Sequence, residues 1–179
     1  MAIGPGLHNN DPSDESLNLA MSDKARPLYD AVVDFINTEV EPLTGEYHRL
    51  GEIREDLWGY HPEQLEILEK LKAKAREKGL WNFFLPNAET GEGLSNLDYA
   101  YIAAELGKNP IASETLNCSA PDTGNMEVLE RVGTPEQKEK WLDPLLNGEI
   151  RSAFAMTEPN VASSDATNIE STIKADGDD

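Results

Sequence analysis

The chain has 179 residues, 39% of them apolar and 27% charged, enough material in a soluble globular protein for one sizeable core, or one core and part of another. Its 34 acidic residues against 15 basic ones leave a formal charge of −19, a field that repels polyanions and disfavours nucleic acid and anionic lipid surfaces as partners. No stretch reaches the roughly 18 consecutive apolar residues of a membrane helix, and residues 1–17 lack the basic and apolar regions of a signal peptide. The lone cysteine, Cys118, leaves no intrachain disulfide framework and suits a reducing compartment rather than secretion.

Residues 1–21, rich in Gly, Asn, Asp, Pro and Ser, read as a loose arm. From Ser22, a candidate cap, Leu28, Val32, Phe35, Ile36 and Val40 share one helical face, and Pro42 marks the expected end of that helix. Residues 44–61 mix glycine, charge and aromatics without a period and read as a long irregular connection. Pro62 opens a second helix, with Leu65, Leu68 and Leu71 as its apolar stripe and Gly79 as its C-terminal cap. The cluster Leu80, Trp81, Phe83, Phe84 and Leu85, stopped by Pro86, is too short for a helix and too apolar for a solvent loop, and is expected to plug into the core.

A third helix starts near Ser95, carries Leu97, Tyr101, Ile102, Ala104 and Leu106, and closes at Gly107 and Pro110; a short fourth begins near Ile111. Pro121 and Gly124 are expected to break residues 117–125, after which Met126, Val128, Leu129 and Val132 mark a fifth helix ending at Gly133. Thr134-Pro135-Glu136-Gln137 joins a capping residue, a first-turn proline and a capping-box glutamine, and launches a sixth helix with Trp141, Leu142, Leu145 and Leu146. After Gly148 the period becomes that of strands: 150–157 reads as buried, and Ile169, Ser171, Ile173 and Ala175 alternate with polar neighbours. Two strands cannot form a stable sheet, so their apolar faces should be exposed and the chain is expected to stop inside a domain. The fold class read here is mainly α, with about six helices over 22–149 followed at 150–179 by the first strands of a β domain.

One segment is dense in chemistry: Phe154-Ala155-Met156-Thr157-Glu158-Pro159-Asn160-Val161-Ala162-Ser163-Ser164-Asp165, a strand running into a loop of small residues. Small side chains let a ligand approach the main chain, and the hydroxyls of Thr157, Ser163 and Ser164 with the loop's N–H groups suit a pyrophosphate without any cationic side chain. So acidic a chain needs such a site, or basic residues from another chain. Taken alone, Thr-Glu-Pro and Ser-Ser-Asp are better read as ordinary turn chemistry; the order of elements, six helices and then a strand delivering the loop, shifts the balance.

The segment resembles the signature of the acyl-CoA dehydrogenase family, in which Thr-Glu-Pro, a few small residues and Ser-Asp contact FAD and substrate. The resemblance extends over Leu80 to Pro86 and its Gly-containing loop, the helix around Tyr101 to Gly107, and Gly133-Thr134-Pro135-Glu136-Gln137-Lys138 through Leu146-Asn147-Gly148-Glu149; it runs from about Arg26 to the end. The family pattern Glu-Pro-x-Ala-Gly-Ser-Asp is departed from here, where Glu158 to Asp165 is one residue longer and lacks the glycine, a form that resembles a branch of the family. The resemblance implies a helical N-terminal domain followed by a β-barrel-like flavin domain. It also implies FAD as cofactor, with the main chain at Phe154, Ala155 and Met156 along the flavin edge, Thr157 on the ring, Ser164 at the pyrophosphate and toward the acyl-CoA substrate, and Asp165 orienting the loop; Ser163 is counted with them as cofactor-binding through its hydroxyl.

In the family reaction a carboxylate removes the α-proton of an acyl thioester while the β-hydrogen passes as hydride to the flavin, giving a trans-2-enoyl-CoA. That base belongs to a C-terminal domain. No catalytic residue is therefore expected in this chain, Glu158 is expected to be structural, and the chain alone is expected to be inactive. The resemblance further implies a homo-oligomer, an electron acceptor such as electron-transfer flavoprotein, and a cytoplasmic, peroxisomal or mitochondrial setting. Two other readings stay open: a related flavoenzyme such as an acyl-CoA oxidase or flavin monooxygenase, and a non-catalytic helical interaction module. His8, His48 and His61 show no metal-ligand spacing, Cys118 reads as a small buried residue, the charged run over 63–78 as a solvated helix face, and Trp81, Phe83 and Phe84 as core.

Overall fold

Proline has no N–H to donate and its ring collides with the carbonyl four residues back, so inside a helix it ordinarily ends or kinks the run. Two helices in this chain pass through one. In the computed structural model, which describes residues 19–177, α1 (Arg26–Phe35) leads into a π-helical turn (Ile36–Val40) and directly into α2 (Glu41–Glu52). The Glu41 N–H bonds to the Ile36 carbonyl five residues back, so the ladder widens by one residue immediately before Pro42. Pro42 therefore does not end the helix as expected, and much of the supposed connection over 44–61 is helical to Glu52. The same device recurs where α7 (Pro135–Gln137) meets a π-helical turn (Lys138–Leu142) and α8 (Asp143–Leu146): the Asp143 N–H reaches the Lys138 carbonyl just ahead of Pro144.

The chain divides into two compact units, Met1–Ser119 and Ala120–Asp179. In the first, α3 (Pro62–Glu77) is capped by a histidine. His61 Nδ1 accepts the Glu63 N–H at 3.3 Å, and Gln64 Oε1 accepts the His61 N–H at 3.0 Å. The helix closes at Gly79, whose φ of 71° is left-handed and favours a residue without Cβ. α4 (Asn96–Leu106) starts where Ser95 Oγ accepts the Asp98 N–H at 3.1 Å, and α5 (Ala112–Thr115) is a single short turn. Val32, Phe35, Leu68, Leu71, Ile102 and Leu106 are buried, and Leu80, Phe83, Phe84 and Leu85 join them, as the apolar cluster requires. Some members of the expected stripes and cluster turn outward, Tyr101 and Ala104 of α4 among them. Leu65 is exposed, and Trp81 is half-buried with the Arg76 guanidinium 4.1 Å from its ring centroid.

Among the described residues, Arg54 Nε is a buried side-chain atom of this unit left without a hydrogen-bond partner, while several other polar groups inside it are paired. Lys72 meets Glu69 at 3.2 Å and Glu114 at 3.0 Å. Asn109 Nδ2 donates to Glu41 Oε2 at 2.7 Å and to Thr44 Oγ1 at 2.8 Å. Asn117 Nδ2 donates to Asn82 Oδ1 at 2.7 Å, joining two buried asparagines whose φ angles, 54° and 55°, are both left-handed, a conformation asparagine tolerates better than most residues. Asp98 Oδ1 accepts the Ser22 N–H at 2.8 Å and Oδ2 the Ser95 hydroxyl at 2.9 Å, so the segment before α1 is tied to the start of α4. Ser22 stands a turn ahead of the helix it was expected to cap, and Leu19 is held through its carbonyl by the Tyr101 hydroxyl at 2.6 Å. The rest of the expected arm, residues 1–18, lies outside the described residues.

In the second unit α6 (Asp122–Val132) begins four positions before Met126 and contains Gly124. The expected break is instead a helix start, because Pro121 precedes the first turn and Asp122 supplies the acidic residue favoured there. Thr134 and Gln137 form the reciprocal capping box that their spacing predicts. Met126, Leu142 and Leu145 are buried, while Val128, Val132 and Trp141 are exposed. Residues 150–157 and 169–175 do not form strands: among the described residues the one β pairing is an isolated antiparallel bridge between Glu158 and Val161. A strand without a neighbouring ladder has no partner for its main-chain groups. Phe154 is accordingly 66% and Ile173 103% exposed. The helical part of the expected fold class is what is observed, and no helix among the described residues is long and apolar enough to cross a membrane.

Two substitutions at glycine should act in opposite directions. A Cβ at Gly91 would stand 2.4 Å from the Leu85 carbonyl oxygen and 2.7 Å from its Cβ, whereas one at Gly45, inside α2, meets nothing within 4 Å. Gly91→Ala is expected to lower unfolding free energy by about 1–3 kcal/mol, and Gly45→Ala to raise it by about 0.5–1 kcal/mol; denaturant titration of each variant checks both signs.

A pH dependence follows from Asp98. The Ser22 N–H, followed by the Ser95 hydroxyl, holds this carboxyl below its ordinary value. Its contribution to stability is complete above the unfolded carboxylate value of about 3.9 and is lost as pH falls through the lower folded value. Asp98→Asn should destabilise the chain at neutral pH, and the gap in melting temperature should narrow in acid below about pH 4. A gap unchanged between pH 7 and pH 3 would contradict the assignment.

Candidate functional site

The loop singled out by the sequence leaves the second unit's helices at residues 150–153, and a buried carboxylate fixes that departure. Asp122, 2% exposed in the first turn of α6, accepts the Ser152 N–H at 2.7 Å and the Ser152 hydroxyl at 2.6 Å on Oδ1, and Arg151 Nε at 2.5 Å on Oδ2. Asn125, on the same helix, donates from Nδ2 to Ser152 Oγ at 2.8 Å. Nothing in the period of α6 announces this cluster. The available signal was the Pro-Asp pair read as a helix start and not as a break.

Past Ser152 the side chains of Phe154, Ala155, Met156 and Thr157 are all exposed, and the Met156 N–H turns back to the Phe154 carbonyl at 3.1 Å. The chain is then gripped again. Glu158 accepts the Glu170 N–H at 3.0 Å, the Ser171 N–H at 2.9 Å and, in a very short bond, the Ser171 hydroxyl. The Ser171 hydroxyl, then the Glu170 N–H, holds the Glu158 carboxyl below the usual carboxylate range. A carboxylate so engaged is a weak proton acceptor, and its bonds tie the loop to residues 170–171.

The three hydroxyls named from the sequence fall into two groups. Ser163 is buried: its Oγ accepts the Glu158 N–H at 3.0 Å and donates to the Val161 carbonyl at 3.2 Å, closing the turn that carries the bridge. Thr157 and Ser164 are exposed, on either side of that turn. Asp165 caps a 3-10 turn (Ala166–Asn168), accepting the Thr167 N–H at 3.0 Å and the Thr167 hydroxyl at 2.7 Å, and the hydroxyl is the larger cause of its lowered pKa. The loop therefore presents exposed residues over 153–157 and two hydroxyls, with its carboxylates engaged by its own N–H and O–H groups. Such a surface offers neutral donors to an anionic or polar ligand.

His61 caps α3, and His8 lies outside the described residues. Burial pushes the Cys118 thiol pKa up, and its Sγ donates to the Leu116 carbonyl at 3.3 Å, so it stays protonated. Among the described residues no three His, Cys, Asp or Glu side chains are grouped as a metal site.

Comparison with known proteins supplies the family. The model of the acyl-CoA dehydrogenase N-terminal domain matches residues 22–149. Acyl-CoA dehydrogenase family member 10 of Mus musculus is 51% identical over 159 residues, covering 86% of this chain and 14% of that protein. Family member 11 of Mus musculus is 48% identical over 161 residues, covering 88% and 20%. A solved structure of a candidate acyl-CoA dehydrogenase from Mycobacterium abscessus is 52% identical with a TM-score of 0.71, covering 83% of this chain and 37% of that one. The chain spans at most a fifth of the length of the two mouse relatives. A match over most of the helical region, relatives near 50% identity and a shared fold agree, and the chain belongs to the acyl-CoA dehydrogenase family.

Proposed function

We propose that this chain forms the N-terminal helical domain, over 22–149, and the start of the flavin-binding β domain, over 150–179, of an FAD-dependent acyl-CoA dehydrogenase. The observation that carries the reading is the loop after Ser152: the exposed residues 153–157 and the exposed Ser164, braced by the bonds of Asp122, Glu158 and Ser163. The donor chemistry fits a flavin dinucleotide, whose ring oxygens and pyrophosphate both accept hydrogen bonds and need no cationic side chain.

In this reading the main chain of Phe154, Ala155 and Met156 lies along the flavin edge, Thr157 donates to the ring, and Ser164 donates to the pyrophosphate and faces the acyl-CoA. Ser163, with its hydroxyl turned inward, serves the cofactor by holding the turn between them. FAD, when bound, supplies the hydride acceptor for α,β-dehydrogenation of the acyl thioester. The chain's own residues bind and orient; Glu158, ionised and fully engaged, does not take the substrate proton. Acyl-CoA as substrate, a homo-oligomer and an electron-transfer flavoprotein as acceptor belong to the same proposal and rest on the family.

The test is made on the full-length protein that contains this segment. A hydrogen bond to a charged group is worth about 1.5–3 kcal/mol, so Ser164→Ala should weaken FAD retention roughly tenfold or more. Thr157→Ala should in addition change the flavin midpoint potential, because a ring contact senses the charge of the reduced flavin and a pyrophosphate contact hardly does. FAD content by absorbance and midpoint potential by dye equilibration read both. Wild-type values in both variants would return the loop to an ordinary polar turn.

A further inference from the structure

Burying a carboxylate costs free energy that donors must offset. Asp122 has those donors, but stability alone does not require the arrangement, since a buried charged group can often be replaced by an apolar one without loss. What the carboxylate adds is direction. It holds Ser152 by both its N–H and its hydroxyl, at 2.7 and 2.6 Å, while Asn125 fixes the same hydroxyl from the other side at 2.8 Å. Ser152 is thereby gripped at three bonds by one face of α6, two positions ahead of Phe154. At the far end the Glu158 carboxylate holds Glu170 and Ser171. Residues 153–157 thus run between Ser152, fixed to α6, and Glu158, tied to the exposed Glu170 and Ser171, with their own side chains exposed and, among the described residues, the Met156 to Phe154 bond alone to shape them. Where the peptide groups of that stretch lie is set mainly at its ends.

We propose that Asp122 is a positioning residue for the flavin-facing main chain: acting through Ser152, it sets where the peptide groups of residues 154–156 and the Thr157 hydroxyl stand against the edge of the flavin ring. This inference rests on the reading of the loop as the flavin site. Asp122 touches neither cofactor nor substrate. Its effect passes through the geometry of the donors, so it should appear in a property that tracks donor placement and not merely in the stability of the fold.

The experiment uses Asp122→Asn and Ser152→Ala in the full-length protein, with Thr157→Ala beside them. An amide in place of the carboxylate sets an NH2 group against a donor; Ser152→Ala removes the hydroxyl bonds while keeping the buried charge and its Arg151 partner. Both variants should release FAD faster, with roughly tenfold weaker retention for Asp122→Asn. Both should also change the ratio of affinities for oxidised and reduced flavin, read as a shifted midpoint potential, by about threefold or more. If Asp122→Asn fails to fold, Ser152→Ala decides the matter by the same two readings. Variants that lose thermal stability but keep the wild-type potential, while Thr157→Ala shifts it, would overturn the inference and leave the flavin reading standing. If Thr157→Ala is silent as well, the flavin reading fails with it.

Discussion

A loop that must offer its main chain to a ligand cannot bury that main chain, and so cannot be held by the hydrogen bonds that order a helix or sheet. The bonds of Asp122 to Ser152 and Arg151 meet this constraint at one end, and those of Glu158 to Ser171 meet it at the other. The rest of the candidate site depends on these two sets of bonds: among the described residues, the exposed stretch over 153–157 has beside them the Met156 to Phe154 bond to give it shape. Fixed donors are also what favour binding of charge, because no reorganisation is needed when the ligand arrives.

The acidity of the chain reads differently in this light. The buried Asp98 and Asp122, the half-buried Glu158 and the exposed Asp165 all accept N–H and O–H groups that have left regular structure. A carboxylate accepts several bonds at once, so one residue can tie down a turn that would otherwise need a short ladder. The same composition leaves anion binding to neutral donors, which is why the exposed Thr157 and Ser164 hydroxyls carry the proposed site.

Much of the helical domain was legible in the sequence, because its signals are local: the Thr134 capping box, the Ser95 cap and the Gly79 terminus depend on a few adjacent residues. What was not legible depended on register or on partners. Pro42 reads as a stop until the π-helical turn before it is known, and no single-residue propensity announces that widening. Pro121 and Gly124 likewise suggested a break where Asp122 begins a helix. The strand periodicity over 150–157 and 169–175 is present in the residues, yet strands are made by neighbours, and among the described residues none pairs with these segments. At the site, the sequence pointed to Thr157, Ser163 and Ser164 together; only the structure separates the inward hydroxyl from the two outward ones. The Asp122 cluster, which joins residues 30 apart, has as its local signal only the Pro121-Asp122 helix start.

The most direct measurement of the central claim is amide hydrogen exchange on the full-length protein, stripped of FAD and then reconstituted with it. The account predicts that FAD slows exchange in peptides spanning 153–165, the stretch whose main chain is exposed and whose ends are anchored, while peptides from the interior of α3 keep their rates. Slowing confined to other regions, with exchange over 153–165 unchanged by FAD, would contradict it.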